Sequence, residues 1–225
     1  DVNESLKGFS VNKNGEIRFG LGGLKGVGDA AMEAIITERN RGGHFTNMMD
    51  FMKRVLSRAV NKKSLESLAY SGSFDCFTEF HRAQYFNIAE GERIAGMEKL
   101  IAYAQAMQSM TAGTTNTLFG DLPSAMQVPT PRIASCEEWT LTEKLEHEKE
   151  ITGMFMSGHP LDHFSFEMRH YQITPINAFN EVKDHLALHT HHLGKNFKLA
   201  GLITDVQHRV TKTGKNFGSF VFFCK

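Results

Sequence analysis

The stretch from Ile17 to Arg39, IRFGLGGLKGVGDAAMEAIITER, limits the fold more than any other, because it crowds glycines directly ahead of a helical pattern. It reads as a strand, a glycine hairpin at Leu24-Lys25-Gly26-Val27-Gly28, and a helix with Ala31, Ile35 and Ile36 turned inward. Glycine has no Cβ, so Gly26 and Gly28 allow positive φ and close approach of another molecule. The first N–H groups of a helix lack intrahelical partners and sit at the positive end of its dipole, which makes this hairpin a cradle for phosphate. Lys25 adds a full positive charge. The plainer alternative is a tight turn before a helix and nothing more.

LxGVG followed by small and β-branched residues at helical spacing resembles the helix-hairpin-helix motif, which grips nucleic-acid backbone without reading bases. NKKSLESLAYSGSFD looks like a second, degenerate copy: Asn61 precedes a helix Ser64–Tyr70 that ends at Gly72, with Ser71-Gly72-Ser73 as its turn. Lys53, Arg54, Arg58, Lys62 and Lys63 form a basic run with no acidic member. Such a run is also compatible with a solvated face. Paired hairpins would bring Lys25 and Lys62/Lys63 to one side, where they could track a duplex together.

With 225 residues, 41% of them hydrophobic, the chain can bury a substantial core in one or two domains. No apolar run approaches the ~18 residues of a membrane span and no secretion signal opens the chain, so the cytoplasm is expected. The three cysteines, Cys76, Cys136 and Cys224, are too scattered for a disulfide framework or a CxxC metal site, and are expected to be buried or incidental thiols. Net charge is zero, but residues 1–75 carry +2, 76–168 carry −7 and 169–225 carry +5. The two ends, more than the middle, are suited to an anionic partner.

Residues 1–15 suit an extended lead-in with a turn at Asn14-Gly15, and the abrupt opening suggests a piece of something longer. Asn40-Arg41-Gly42-Gly43 is a stop. Thr46–Val55 reads as a short helix with Phe45, Met49 and Phe51 inward. Helical composition runs from His81 to Gln108, softened by Gly91 and Gly96. Residues 109–136 hold three of the five prolines and read as an exposed, mobile loop. In that loop Leu118-Phe119 lacks periodic apolar partners, and either folds back on neighbouring helices or anchors in a partner's pocket. Glu137–Met156 reads as a helix opened by Ser135 and Glu138 in capping-box spacing, its end marked by Gly153, Ser157-Gly158 and Pro160. His159 and Asp162 are read as capping residues rather than acid–base catalysts.

His185, His189, His191 and His192 have spacing that can bind metal, but no cysteine or carboxylate cluster completes a tetrahedral site, and no metal is expected. Residues 197–223 are β in character, KLAGLITDVQHRV, a Thr213-Gly214-Lys215 turn and NFGSFVFF, like the first two of about five strands of an OB barrel.

Together DVNES, IRFGLGGLKGVG, NKKSLESLAYSGSFD, the TLFG loop, EKEITGMFMSGHPLD and AGLITDVQHRVTKTGKNFG resemble, in order and over nearly the whole chain, the bacterial replicative DNA polymerase III alpha subunit family. The resemblance implies a mainly α, α+β fold: a tandem helix-hairpin-helix domain with its following helix at 1–108, a loop with a sliding-clamp contact at 109–136, a helical connector at 137–180 and a truncated OB segment at 181–225. It implies duplex binding by Lys25, Gly26, Val27, Gly28, Arg58, Lys62 and Lys63. Single strands would bind the OB segment at Lys212 and Lys215, and Thr115, Leu118 and Phe119 would contact the clamp, with threonine where the family pattern has glutamine. Other replicase subunits are expected partners. The family's Mg2+-binding aspartates have no counterpart here, so no cofactor and no polymerisation are expected of this piece. A helix-hairpin-helix scaffold of a repair or nuclease complex is the alternative, and a metal-dependent hydrolase built on the histidines a third.

Overall fold

The computed structural model describes residues 1–56, 59–113, 128–185 and 188–224. They divide into two compact units, residues 1–156 and 157–225.

In the first unit, strands β1 (Ser10–Val11) and β2 (Ile17–Arg18) pair antiparallel around a turn in which Gly15 takes φ +81°. The strand expected over 16–21 is thus only two residues long. A 3-10 turn at Leu21–Gly23 follows, buries Leu21, and hands the chain to the glycine hairpin.

Helix α1 (Asp29–Gly42) buries Ala31, Met32, Ile35 and Arg39. These lie on one stripe, as the helical period requires. Arg39 is tolerated inside because its Nη1 donates to the carbonyls of Val2 (2.9 Å) and Ser5 (3.0 Å), tying the lead-in to the helix. Helix α2 (Met48–Val55) starts where the Asn47 side chain accepts from the Asp50 N–H. It buries Met48, Phe51 and Met52, while Met49, expected inward, is only partly covered. Helix α3 (Lys62–Tyr70) begins in the same way, with Asn61 Oδ1 accepting from the Ser64 N–H at 3.1 Å.

The helical composition of 81–108 resolves into two pieces, α4 (Arg82–Phe86) and α5 (Gly96–Gly113). Gly96 permits their close approach: a Cβ there would lie 2.2 Å from the Gln84 carbonyl oxygen. Helix α6 (Leu141–Thr152) is capped by Thr140 and Glu143, not by Ser135 and Glu138, and ends at Gly153 with φ +83°. Ser135 does not open the helix because residues 131–140 carry no helix or strand. That stretch is pinned, with the Ala134 carbonyl accepting from Gln84 Nε2 (3.2 Å), the Arg132 carbonyl from Lys99 Nζ (3.2 Å), and Ile133 packed on the core. Of the loop expected over 109–136, α5 occupies the start and the pinned stretch the end, and residues 114–127 lie outside the described residues.

The core gathers Met32, Ile35, Met48, Phe51, Leu65 and Leu100 around the edge-to-face rings of Phe45, Phe51 and Phe74. Tyr70, Phe86 and Trp139 stack on one another and, with His147, fasten the pinned stretch to α3 and α6. No described helix is long and apolar enough to cross a membrane. The three cysteines are free, with Cys76 exposed and the other two half-covered, so none is a core residue.

The second unit holds a 3-10 turn at Pro160–Phe164, helices α7 (Ser165–His170) and α8 (Ile176–Asp184), and strands β3 (Gly201–Val210) and β4 (Asn216–Cys224). His159 and Asp162 act as caps: the His159 Nδ1 accepts from the Leu161 N–H and the Asp162 carboxylate from the His159 N–H. The antiparallel β3–β4 pair slips register between Thr204 and Gln207, where Asp205 takes φ +48°. This bulge bends the hairpin. Phe217, Phe220, Phe222 and Phe223 remain exposed on β4.

Candidate nucleic-acid interface

The hairpin is a tight turn set by one backbone bond, the Val27 N–H to the Leu24 carbonyl at 3.2 Å. Leu24 and Val27 point inward, 5% and 8% exposed, and clamp the turn to the core. Lys25 and Gly26 between them are exposed. Gly26 takes φ +89°, the conformation a turn demands at its third residue and one that a side chain resists.

Two contacts fix where the turn points. The Lys25 N–H donates to the carbonyl of Ile151 at 3.0 Å. Ile151 lies in the last turn of α6, whose carbonyls have no helical partner, so hairpin and helix end satisfy each other. On the other side Ser64 Oγ donates to the Gly26 carbonyl at 3.2 Å. A Cβ on Gly26 would meet Ser67 Oγ at 2.4 Å and Lys63 Cε at 3.7 Å. The turn therefore lies against the first turns of α3, with the Lys63 stem beside it.

Gly28 caps α1 with extended backbone and no side-chain cap. Gly28, Asp29 and Ala30 are all exposed, and their N–H groups meet no acceptor among the described residues. These orphan donors and the helix dipole favour an anion. One already stands there: Asp29, in the first turn, is paired with Lys7 at 3.3 Å.

The basic run mostly dissolves into structural partnerships. Arg54 pairs with Glu38 and Asp50, both at 3.0 Å, and donates to the Gly43 carbonyl. Lys53 lies over the Tyr103 ring at 5.6 Å. Lys62 binds Glu98 at 2.7 Å, and this hydrogen bond raises the lysine's pKa. Arg58 lies outside the described residues. Lys63, like Lys25, is exposed and without an acidic partner among the described residues. Of the expected cations, the structure brings Lys63 to the turn and commits Lys62 to α5.

The second hairpin differs from the expectation. Ser71-Gly72-Ser73 is the terminus of α3: the Ser73 N–H donates to Leu68 O (2.9 Å), the Gly72 N–H to Ala69 O (3.1 Å), and Gly72 takes φ +72°. Those bonds define a Schellman cap, which consumes the amides an anion would need. A Cβ on Gly72 would touch the Arg82 guanidinium at 2.2 Å, and Ser73 is buried. The part of the second copy that reaches the glycine turn is thus the amino end of α3, not its carboxyl turn.

Arg82 lies in none of the sequence motifs, and Glu148, which opens EKEITGMFMSGHPLD, carries no assigned role there. Arg82 Nη1 meets Glu148 at 2.7 Å and its Nη2 meets Asp75 at 2.6 Å, with the arginine 8% and Glu148 0% exposed. Glu148 also accepts the Met156 N–H at 2.8 Å. This cluster holds α6, and through Ile151 the hairpin. Their separation in sequence hides it; a lone glutamate on the inward stripe of α6 is the only local hint.

Lys212 and Lys215 flank the β3–β4 turn in the second unit, both exposed, with Gly214 at φ +77°. Thr115, Leu118 and Phe119 lie outside the described residues.

Residues 1–85 match the helix-hairpin-helix motif family. The DNA polymerase III alpha subunit of Escherichia coli K12 is 33% identical over 218 residues, 97% of this chain. Those of Caulobacter vibrioides and Vibrio cholerae are 31% and 29% identical over 96% and 97% of it. The chain spans 17% of the length of each. A turn of exposed glycines and lysines, built on a mainly α frame, thus lies in a chain that is similar over nearly its whole length to a segment of the bacterial DNA polymerase III alpha subunits, with a helix-hairpin-helix motif in its first 85 residues.

Proposed function

We propose that this chain is a DNA-holding segment of a bacterial replicative DNA polymerase, working in the cytoplasm. The N–H groups of Gly28, Asp29 and Ala30 and the ammonium groups of Lys25 and Lys63 grip duplex phosphates without regard to sequence. In this reading polymerisation and its Mg2+ ions belong to the whole protein, and this segment supplies grip. The observation that carries it is the seating of Lys63 beside the exposed Gly26 turn, secured by Ser64.

Contacts to phosphate position a duplex but carry no base information. Each is weak and salt-sensitive, which suits a machine that must slide. The Leu118-Phe119 loop is assigned to a sliding clamp, and the β3–β4 turn with Lys212 and Lys215 to single strands at the start of an OB fold. Two feeble contacts on one chain act together, because tethering supplies an effective concentration in the mM range for short linkers. Other replicase subunits complete the assembly.

The test is the salt dependence of duplex binding. Each phosphate contact contributes about −0.9 to the log–log slope. Lys25→Ala/Lys63→Ala should flatten it by about 1.8. An unchanged slope removes this turn from the interface. Lys62→Ala, taken from an existing ion pair, should change the slope less than Lys63→Ala.

A further inference from the structure

Residues 189–192 bring three imidazoles together at a place the DNA reading does not use. His191 and His192 belong to a 3-10 turn, Thr190–His192, and His189 precedes it. One ring nitrogen from each of the three histidines lies within 4.8 Å of the others. The turn is closed by backbone bonds from His192 N–H to His189 O (2.9 Å), Leu193 N–H to Thr190 O (3.1 Å) and Lys195 N–H to His192 O (3.1 Å). The His192 ring also rests 5.7 Å from Phe197, which meets Phe179 of α8 edge-on at 5.4 Å. Among the described residues no side chain or carbonyl hydrogen-bonds these ring nitrogens, so they are open to a ligand.

The chemistry of the donors narrows that ligand. Three imidazoles and no thiolate disfavour Cu(I) and iron–sulfur chemistry, and the lack of oxygen donors disfavours Mg2+ and Ca2+. Three histidines with a fourth position left to water form a known zinc set. At Zn–N distances of about 2.0–2.1 Å, tetrahedral nitrogens lie roughly 3.4 Å apart. Closing the present cluster to that spacing takes an inward shift of roughly 1–1.5 Å at most, within reach of side-chain rotation.

We propose that His189, His191 and His192 bind one Zn2+ ion, with water in the fourth position. The ion clips together the stretch that leads from α8 toward β3. Because the ion binds the folded arrangement, it stabilises that arrangement by mass action. This inference is independent of the DNA reading, since the histidines contribute nothing to the glycine turn.

The experiment uses the full chain, carrying no affinity histidines and stripped with chelator. Zn2+ is titrated calorimetrically, and Co2+ serves as the visible probe of coordination. Saturation at one ion per chain, a four-coordinate Co2+ spectrum and a rise in melting temperature on adding Zn2+ are expected. His191→Ala should weaken binding by at least about 10–100-fold, the loss that even outer-shell changes produce. The triple change of His189, His191 and His192 to Gln should abolish it, while His44→Ala in the first unit should leave it unchanged. Circular dichroism of the triple variant checks its fold. Failure to saturate at one ion per chain, or undiminished binding by a folded triple variant, overturns the proposal.

Discussion

The Ser64 hydroxyl donates to the Gly26 carbonyl across 3.2 Å, and this bond joins the glycine turn to the amino end of a helix nearly forty positions downstream. Two segments that each look like ordinary punctuation thereby become one surface. Lys63 precedes Ser64 on that helix, so the same hydrogen bond that fixes the turn fixes a cation beside it.

Gly26→Ala should damage this surface in two separable ways. At φ +89° a non-glycine residue costs on the order of 1–3 kcal/mol, and the added methyl would sit 2.4 Å from Ser67 Oγ. Adding Ser67→Gly removes the collision but not the backbone strain, so urea unfolding should show the double variant recovering only part of the loss. A single variant as stable as the parent would mean that the turn does not take this shape.

Asp29→Asn should tighten duplex binding. The carboxylate occupies the end of α1 that a phosphate would approach, and removing its charge leaves Lys7, now 3.3 Å away, with only the longer pairing to Glu33 at 3.9 Å. The helix loses a favourable dipole contact worth about 0.3–1 kcal/mol, so melting temperature should fall slightly while affinity rises. Weaker binding at unchanged fold would show that phosphate goes elsewhere.

Glu148→Ala should act at a distance from the turn it supports. Removing one partner of a buried pair leaves a charge under-compensated and costs about 3–5 kcal/mol. With α6 loosened, the bond from the Lys25 N–H to the Ile151 carbonyl should open more often. Hydrogen exchange at the Lys25 amide should therefore quicken more than global destabilisation alone explains. Equal acceleration at every amide would deny α6 this supporting role.

The legible features were those fixed by a few adjacent residues. The Gly26 turn, the Asn61 cap and the β3–β4 turn follow from local backbone preferences, and the structure has each where the pattern predicts it; of the three end markers offered for α6 it uses Gly153. The basic run was misleading because the partners of Lys53, Arg54 and Lys62 are Tyr103, Glu38 with Asp50, and Glu98, most of them remote in sequence. Ser135 and Thr140 both carry an acidic residue three positions on, and spacing cannot choose between them. The choice is made by Gln84 and Lys99, which take the carbonyls of Ala134 and Arg132 beside Ser135. The Ser71-Gly72-Ser73 turn resembled a hairpin because a helix terminator and a phosphate-binding turn use the same glycine.

Tyr85 offers a test of the core that is independent of DNA. Its ring is 1% exposed, and its hydroxyl has no hydrogen-bond partner among the described residues. A buried hydroxyl left unsatisfied costs about 1–3 kcal/mol, so Tyr85→Phe should stabilise the chain by about 1 kcal/mol near neutral pH. Burial, followed by the nearby charge of Asp75, pushes the phenol's pKa up, because the folded state resists the tyrosinate. A group raised in this way contributes its full stability below its unfolded pKa of about 10 and loses it as pH climbs toward the folded value. The advantage of the Phe variant should accordingly stay flat up to about pH 10 and widen above it, since only the parent then gains a proton-release route to the unfolded state. Denaturant titrations of both proteins from neutral pH to pH 11 measure this directly. A Phe variant that is less stable at neutral pH would reveal an ordered water on the hydroxyl, and a difference that does not widen above pH 10 would place the ring in contact with solvent.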